Sequence, residues 1–321
     1  MSGEIFVAGH RGLVGSAIVR RLERGGLGSK LLVRTKAELD LTDGRAVRAF
    51  FEEKRPAQVY LAAAKVGGIL ANDTYPVDFI RENLLIETSI FEAAYQTGTK
   101  KVLFLGSSCI YPRLSPQPIK EEYLLTGPLE PTNSAYAIAK IAGIELARAY
   151  RKQHGLSAIS LMPTNLYGPG DNFDLAGSHV LPALIRKMVE AKARGDADVV
   201  VWGSGTPRRE FLYADDLADA AVHLMDHYDE PELVNVGTGE DVSIAELAAL
   251  VREIVGFSGE IRFDRTKPDG APRKLLDVSK LSALGWRAKT PLREGIEATV
   301  RWYLASLPAR SPLQMNGGTE S

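Results

Sequence analysis

The chain has 321 residues, of which 45% are hydrophobic and 25% are charged, and its formal net charge at pH 7 is −1. These values are typical of a globular protein with one large domain or two closely joined domains. The single cysteine, Cys109, excludes an internal disulfide, and the balanced charge excludes a basic field for nucleic acid. The sequence has no apolar stretch long enough for a bilayer and no signal-like segment before the first strand, so we expect a soluble cytoplasmic protein.

The first two thirds of the chain alternate short apolar runs with longer helical patterns, which is typical of βαβ units. The pattern predicts strands over residues 5–8, 31–34, 59–62, 101–106 and 157–162. It predicts helices over residues 14–24, 85–97 and 135–154. We therefore predict an α/β fold with a doubly wound parallel (Rossmann) sheet, whose ligands lie at the carboxyl ends of the strands.

The pattern loosens after Pro163 and indicates a smaller, interleaved C-terminal domain that binds substrate. It predicts a loop over 165–180, helices over 182–192 and 215–227, strands over 199–202 and 233–236, and a helix that Ser243 opens. We predict a Rossmann domain over 1–165 with a returning segment at about 212–238. The substrate-binding domain is predicted over 166–211 and 239–307, and residues 308–321 are predicted to be a disordered tail.

A glycine turn follows the first strand in the segment AGHRGLVG. Gly9, Gly12 and Gly15 allow a tight turn, close approach of the backbone to a pyrophosphate and close packing of helix on strand. The N-terminus of the next helix then faces the phosphate charge. An ordinary glycine-rich turn is the alternative, but the strand–turn–helix context favours a dinucleotide site.

Charges near the second strand bear on the choice of cofactor. A NAD site uses an acid there for the ribose hydroxyls, whereas a NADP site uses basic groups for the 2′-phosphate. Arg34 and Lys36 end the second strand and Arg11 lies in the glycine turn, which favours NADP. Glu38 and Asp40 follow closely and would suit NAD. The alternative interpretation of the three cations is that they are solvated surface charges.

A tyrosine and a lysine lie four residues apart in the segment SAYAIAKIAG. Tyr136 and Lys140 therefore share one face of a helix. A free phenol has a pKa of about 10, and a nearby ammonium together with a cofactor's positive charge lowers it by stabilising the phenolate. Ser107 ends the fourth strand, where its hydroxyl could hold a carbonyl oxygen. A surface helix with an extended lysine is the alternative for the pair.

These motifs resemble the extended short-chain dehydrogenase/reductase superfamily, whose members act largely on nucleotide sugars. The resemblance is carried by AGHRGLVG, by GSS after the fourth strand and by YAIAK, and it extends to about residue 305. Longer segments narrow it to a bifunctional branch, among them LAAAKVGGI, GSSCIYP, MPTNLYGPGDNF, VVVWGSGTPRREF and KPDGAPRKLLD. That branch epimerises C3 and C5 of GDP-4-keto-6-deoxymannose and then reduces C4 with NADPH.

The resemblance implies a role for each of five catalytic residues. Cys109 is implied as the base and His179 as the acid at C3 and C5, roles that suit the titration ranges of a thiol and an imidazole. Ser107 and Tyr136 are implied to bind the C4 oxygen and to hold the enolate. Tyr136 then protonates that oxygen during reduction, and Lys140 tunes the phenol.

The resemblance also implies contacts with ligands and with a second copy of the chain. The residues expected to contact the cofactor are Gly9, His10, Arg11, Gly12, Leu13, Val14, Gly15, Arg34, Lys36, Leu105, Gly106, Ser107, Ser108, Lys140, Pro163, Thr164, Asn165, Leu166 and His179. Those expected to contact the GDP-sugar are Lys187, Trp202, Arg209 and Asp269. No metal is expected, and a homodimer is implied through the helix of Tyr136 and its neighbour at 85–97.

Two other functions remain open from the sequence. One is a different NADP-dependent nucleotide-sugar epimerase or reductase, and the other is a non-catalytic NADP-sensing protein on the same fold. Ser108 and Cys109 stand where nucleotide-sugar dehydratases carry an acidic pair, which argues against dehydration. The presence of Ser107, Tyr136 and Lys140 together argues against a sensor.

Overall fold

The computed structural model describes residues 3–175, 177–267 and 269–307, so the predicted tail at 308–321 lies outside the described residues. The strands in the described part of the chain are β1 (Ile5–Ala8), β2 (Leu31–Leu32), β3 (Gln58–Leu61), β4 (Lys101–Leu105), β5 (Ser157–Pro163), β6 (Asn165–Tyr167), β7 (Asp198–Trp202), β8 (Arg208–Tyr213), β9 (Val234–Val236), β10 (Asp241–Ser243), β11 (Glu260–Asp264) and β12 (Arg273–Lys274). The α-helices there are α1 (Leu13–Arg24), α2 (Gly44–Lys54), α3 (Ile69–Thr74), α4 (Pro76–Thr97), α5 (Ser134–His154), α6 (Val180–Arg194), α7 (Ala214–His227), α8 (Ile244–Val255), α9 (Ser279–Ala283) and α10 (Leu292–Ser306). No helix within these ranges is both long enough and apolar enough to span a membrane.

The central layer is a parallel sheet, and its six strands in the described ranges run in the order β2-β1-β3-β4-β5-β9. The chain leaves β1 for β2 on one side and then returns to β3 on the other side. The strand order therefore reverses at β1, and ligands of such sheets bind outside the carboxyl ends of the strands at this reversal.

Side chains of the sheet alternate between its two faces, as the two-residue period of a strand requires. In β1, Phe6 and Ala8 belong to the apolar cluster that α2, α4 and α5 cover. Ile5 and Val7 belong to the opposite cluster, which α1 and α7 cover. All four are at most 2% exposed, and burial of a large apolar side chain contributes about 1.5–3 kcal/mol. Both faces of the sheet are thus closed, and its carboxyl edge is left for ligands.

Two long helices, α4 and α5, pack side by side on one face of the sheet. Pro76 begins α4, where its missing N–H costs nothing, and Gly155 ends α5 in the left-handed conformation at φ 71°. Phe91 of α4 stacks on Tyr150 of α5 with ring centroids 5.9 Å apart. This packing fixes α5, which carries the Tyr–Lys pair.

A second group of strands surrounds β8. It pairs with β6 and β12 in parallel and with β10 in antiparallel, while β7 pairs with β11 in a separate ribbon. The helices α6, α8 and α10 pack on these strands through a third apolar cluster, which includes Leu184, Met188, Leu247, Val251 and Ile296. A capping box of Ser243 and Glu246 begins α8, as the position of Ser243 predicts.

The structure differs from the sequence-based expectation in three segments. The predicted loop at 165–180 contains strand β6, whose three residues pair with Phe211–Tyr213. A run of only three strand residues beside Gly168 carries too little alternation to be recognised. The second strand ends at Leu32 rather than at Arg34, and the helix predicted over 85–97 begins at Pro76. In α4 the apolar pattern is interrupted by Asn83 and Glu87, which are buried nonetheless.

Candidate active site

The glycine turn between β1 and α1 has the geometry of a phosphate cradle. Gly9 has φ +85°, and its carbonyl accepts a hydrogen bond of 3.0 Å from the N–H of Gly12. A Cβ at Gly15 would lie 2.1 Å from the oxygen of Gly9, so the helix can approach the strand only with glycine there. A Cβ at Gly12 would instead meet only that oxygen, at 3.5 Å among the described atoms, so the space before the helix is open.

The same turn offers a polar atom that the described residues do not satisfy. The Nδ1 atom of His10 is shielded from solvent and has no hydrogen-bond partner among the described residues. Together with the open N-terminus of α1, it fits a bound dinucleotide, whose phosphates and hydroxyls can meet both. Leu13 and Val14 pack behind the turn against the cluster that includes α7.

The acids that follow β2 are bound by their own loops. An Oε atom of Glu38 accepts the N–H of Thr35 at 2.7 Å, and this hydrogen bond lowers the pKa of the carboxyl. An Oδ atom of Asp40 accepts both the N–H and the hydroxyl of Thr42 at 2.9 and 2.8 Å. One oxygen of each carboxylate is therefore occupied by its own loop.

The three predicted phosphate-binding cations differ in their surroundings. The guanidinium of Arg34 lies 5.4 Å from the ring centroid of Phe50, which holds it in place. The Nζ of Lys36 lies 3.7 Å from a carboxylate oxygen of Glu82, so part of its charge is neutralised. Arg11 is exposed in the glycine turn. Arg34 is thus the most firmly positioned of the three.

The carboxyl end of β4 carries the serine and the cysteine of the predicted site. Leu105 and Gly106 are buried, and the chain then turns into a short 3-10 helix over Ser108–Ile110. Ser107 caps this helix, so its Oγ accepts the N–H of Cys109 at 3.3 Å. The same Oγ lies 3.2 Å from the Sγ of Cys109, as donor to the sulfur. The turn therefore brings a hydroxyl and a thiol together at the edge where ligands bind.

Tyr136 approaches this pair from α5. Its ring packs edge-on against Phe79 with centroids 6.2 Å apart. Burial raises the pKa of the Tyr136 phenol, Cys109 and Glu87 raise it further, and a hydrogen bond with Ser107 opposes them. The phenol is thus protonated at neutral pH, which is the form that a proton donor needs.

Lys140 lies one turn further along α5 and is 2% exposed. Its Nζ is 5.9 Å from the ring centroid of Tyr136 and 4.7 Å from that of Phe104. The nearest carboxylate is that of Glu87, on α4, at 3.3 Å. Burial lowers the pKa of Lys140, and Glu87 opposes that shift. Sequence reasoning missed Glu87, although a lone acid among the apolar positions of a helical pattern is a visible signal.

The stretch from Pro163 to Leu166 passes beside this edge and is held by β8 and β9. The N–H of Thr164 donates to the carbonyl of Val236 at 3.0 Å. The side chains of Thr164 and Asn165 both donate to the carbonyl of Glu210, at 3.3 and 2.8 Å. The predicted nicotinamide side of the site is therefore a rigid segment.

His179 stands at the N-terminal cap of α6. The surrounding protein removes water from one side of the imidazole and lowers its pKa, although the residue keeps an exposed face. The loop before it is fixed by a hydrogen bond of 3.0 Å from the N–H of Gly68 to the carbonyl of Gly177. Among the described residues, its imidazole makes no hydrogen bond with Cys109 or Tyr136.

The predicted substrate-contacting residues form a second group. Trp202 is 60% exposed, and the ammonium groups of Lys187 and Lys267 lie 6.0 and 5.4 Å from its ring centroid. Asp269 accepts the N–H and the hydroxyl of Ser204, two residues after the tryptophan, at 2.6 and 2.8 Å. Lys267 was not predicted from the sequence.

Arg209 completes this second group. Burial lowers the pKa of its guanidinium, while the carboxylates of Asp269 and Glu130 raise it. Glu130 lies shortly before α5, the helix that carries Tyr136, and its charge acts on Arg209. An exposed aromatic face with several cations around it can stack on a base and bind a diphosphate.

The fold and this site define an oxidoreductase or isomerase of nucleotide-linked substrates, and sequence comparison assigns the family. The sequence profile described as the NAD dependent epimerase/dehydratase family matches residues 5–237. The chain belongs to this family.

Individual proteins similar to this chain narrow the comparison further than the family profile does. The chain is 60% identical over 306 residues to GDP-L-fucose synthase 1 of Arabidopsis thaliana, covering 95% of this chain and 94% of that protein. It is 55% identical over 309 residues to GDP-L-fucose synthase of Escherichia coli strain K12, covering 94% and 96%. The solved GDP-L-fucose synthetase of Naegleria fowleri bound to NADP superposes with a TM-score of 0.87 at 33% identity, covering 95% of each chain.

Proposed function

We propose that this chain is a GDP-L-fucose synthase, which epimerises C3 and C5 of GDP-4-keto-6-deoxy-D-mannose and then reduces C4 with NADPH. The observation that carries this proposal is the contact between the Oγ of Ser107 and the Sγ of Cys109, at 3.2 Å, beside Tyr136. A group for the C4 oxygen and a base for the neighbouring carbons are both needed, and this contact supplies them together. The identity to GDP-L-fucose synthases supports the same reaction.

The cofactor would be held by the glycine turn, by Arg34 and by the rigid stretch from Pro163 to Leu166. The open N-terminus of α1 at Gly12 faces the pyrophosphate, and the cation of Arg34 suits a 2′-phosphate. When bound, NADPH supplies the hydride that C4 accepts. The positioned cation of Arg34, together with the NADP complex of the Naegleria protein, supports NADP over NAD.

Epimerisation requires removal of a proton beside the ketone and its return on the other face of the ring. In its thiolate form Cys109 takes the proton from C3 or C5 and becomes a thiol, while the electrons of the broken C–H bond move toward the C4 oxygen. Ser107 and Tyr136 donate hydrogen bonds to that oxygen and stabilise the enolate. His179, in its protonated form, returns a proton to the opposite face of the ring.

Reduction uses the same oxygen-binding groups. As C4 is reduced, its oxygen gains negative charge, and Tyr136 donates its phenolic proton to it. The ammonium of Lys140 lies 5.9 Å from the centroid of the Tyr136 ring and stabilises the phenolate that remains. The sugar can stay in one site for both reactions because both use the same hydrogen bonds from Ser107 and Tyr136 to the C4 oxygen.

We further propose how the chain is organised around this chemistry. Residues 1–165 with the returning segment at about 212–238 bind the cofactor, and residues 166–211 and 239–307 bind the GDP-sugar through Lys187, Trp202, Arg209 and Asp269. The enzyme acts in the cytoplasm as a homodimer through α4 and α5. Val77 of α4 and Ile138 of α5 are 68% and 48% exposed, which supports an apolar contact there. Light scattering tests the dimer, and a monomer at micromolar concentration would refute it.

The function is tested by incubating the protein with NADPH and GDP-4-keto-6-deoxy-D-mannose while NADPH absorbance and the product are followed. We expect NADPH oxidation, formation of GDP-L-fucose and deuterium at C3 and C5 when the reaction runs in D₂O. Oxidation without exchange would indicate a plain 4-reductase of a related sugar. Binding of NADPH without oxidation would favour a sensor. Either result would refute the proposal.

A further inference from the structure

A buried carboxylate and a buried ammonium meet between α4 and α5. The Nζ of Lys140 lies 3.3 Å from the Oε1 of Glu87, and the two side chains are 2% and 1% exposed. The second oxygen of Glu87, Oε2, is also shielded and has no hydrogen-bond partner among the described residues. The residues are 53 positions apart, so the contact depends on the packing of the two helices.

A buried ion pair contributes little to the stability of a fold by itself. Burial of two charges removes their hydration, and well-packed apolar residues often serve stability as well or better. The pair at Glu87 and Lys140 therefore calls for a reason other than stability.

The position of the pair supplies that reason. The Nζ of Lys140 lies 5.9 Å from the ring centroid of Tyr136, the proposed proton donor, and 3.3 Å from the carboxylate of Glu87. A fully buried amine tends to lose its proton, because burial disfavours the charged form. A neutral Lys140 would not stabilise the Tyr136 phenolate.

We propose that Glu87 is a positioning residue of the reduction, whose carboxylate keeps Lys140 charged and in place behind Tyr136. For its effect on catalysis this inference rests on the proposed function, since Tyr136 is assigned there as the proton donor. Its effect on Lys140 does not depend on the sugar. Glu87 itself touches neither the substrate nor the C4 oxygen in this assignment.

The titratable groups around the pair set the expected pH dependence. Burial raises the pKa of Glu87 to about 7, opposed by the charge and the hydrogen bond of Lys140. Tyr136 faces the pair from α5, and Cys109 faces Tyr136 from the end of β4. Glu87 raises the pKa of Lys140 and also that of Tyr136. Removal of its charge therefore shifts both toward deprotonation at lower pH.

The first experiment measures Lys140 directly and needs no substrate. In protein labelled with ¹³C at lysine Cε, the Lys140 signal is assigned by its loss in Lys140→Met and followed against pH with NADP bound. We expect Lys140 to deprotonate at lower pH in Glu87→Gln than in the wild type. Glu92→Gln is the matched control, since it removes a carboxylate five residues along α4 that binds the hydroxyl of Tyr150. An unchanged Lys140 titration in Glu87→Gln would overturn the proposal.

The second experiment measures the pH profile of NADPH oxidation. We expect the alkaline decline of kcat to begin at lower pH in Glu87→Gln than in the wild type. At a pH above the midpoint of the decline in both proteins, the activity of the variant should be lower by about tenfold for each unit that the pKa of Lys140 falls. KM should change little. Glu87→Asp keeps the charge, so it should restore part of the wild-type profile. Glu87→Met also removes the charge and replaces Glu87→Gln if that variant does not fold. Equal loss at every pH in both variants, with Lys140 titrating as in the wild type, would indicate a merely structural role.

The two experiments separate failure of this inference from failure of the proposed function. If the wild type does not oxidise NADPH with the GDP-sugar, the proposed function fails. A lowered Lys140 titration in Glu87→Gln would still support the role of Glu87 toward Lys140, and an unchanged one would refute it.

Discussion

The Oγ of Ser107 lies 3.2 Å from the Sγ of Cys109, because a short 3-10 helix follows β4 directly and Ser107 caps it. C3 and C5 of a hexose are each one bond away from C4. A thiol next to the hydroxyl that binds the C4 oxygen can therefore reach the acidic C–H bonds while the oxygen stays bound. In a continued strand, residues two apart would share a face but stand farther apart, so the tight turn is what brings the two groups into contact.

Replacement of Cys109 by serine separates the two reactions. The change keeps a hydrogen-bonding group of similar size beside Ser107 but removes the thiol, whose ionised form is the base, and a serine hydroxyl ionises far less readily. We expect deuterium exchange at C3 and C5 to fall about a hundredfold or more. Oxidation of GDP-L-fucose at C4 by NADP, the reverse of the reduction, should persist in a single turnover, because that step needs no base at C3 or C5. Normal exchange in the variant would remove Cys109 from the mechanism.

Replacement of Tyr136 by phenylalanine should have the opposite pattern. The ring keeps its edge-on contact with Phe79 at 6.2 Å, so the fold should be retained. Without the phenol no proton reaches the C4 oxygen, and we expect hydride transfer to fall by about 10² to 10⁴ in both directions. Fluorescence titration should give an unchanged Kd for NADPH. A rate near that of the wild type would show that another group donates the proton.

Local sequence patterns predicted the strands of the sheet, whereas contacts between residues far apart in the sequence could not be predicted. Alternation and glycine placement predicted β1, the turn and α1, since these depend on neighbouring residues. The Tyr136–Lys140 spacing predicted a shared helix face for the same reason. Glu87 was missed because its partner lies 53 residues away, and β6 was missed because its pairing with β8 depends on distant residues. Lys267 begins the segment KPDGAPRKLLD that carries the resemblance, but its approach to Trp202 in space could not be predicted from that segment.

The choice of NADP over NAD should depend more on Arg34 than on Lys36. Phe50 holds the guanidinium of Arg34 at 5.4 Å, whereas Glu82 partly neutralises Lys36 at 3.7 Å. We expect Arg34→Ala to weaken NADPH binding about tenfold with little effect on NADH, since a charge-assisted hydrogen bond to a phosphate contributes about 1.5–3 kcal/mol. Lys36→Ala is the matched control and should have the smaller effect. Kd values for both cofactors decide this, and a larger loss in Lys36→Ala would contradict the assignment.

Two glycines of the same turn should respond differently to alanine, because they meet different atoms. A Cβ at Gly15 would lie 2.1 Å from the oxygen of Gly9, so Gly15→Ala must push α1 away from β1. Overpacking of this kind costs about 1–3 kcal/mol, so we expect a lower Tm together with weaker NADPH binding. A Cβ at Gly12 meets that oxygen at an ordinary 3.5 Å, and φ there is −77°, which alanine adopts readily. Gly12→Ala should therefore keep the wild-type Tm while its methyl group obstructs the pyrophosphate and weakens NADPH binding. If Gly12→Ala bound NADPH as the wild type does, the pyrophosphate would not lie against the N-terminus of α1.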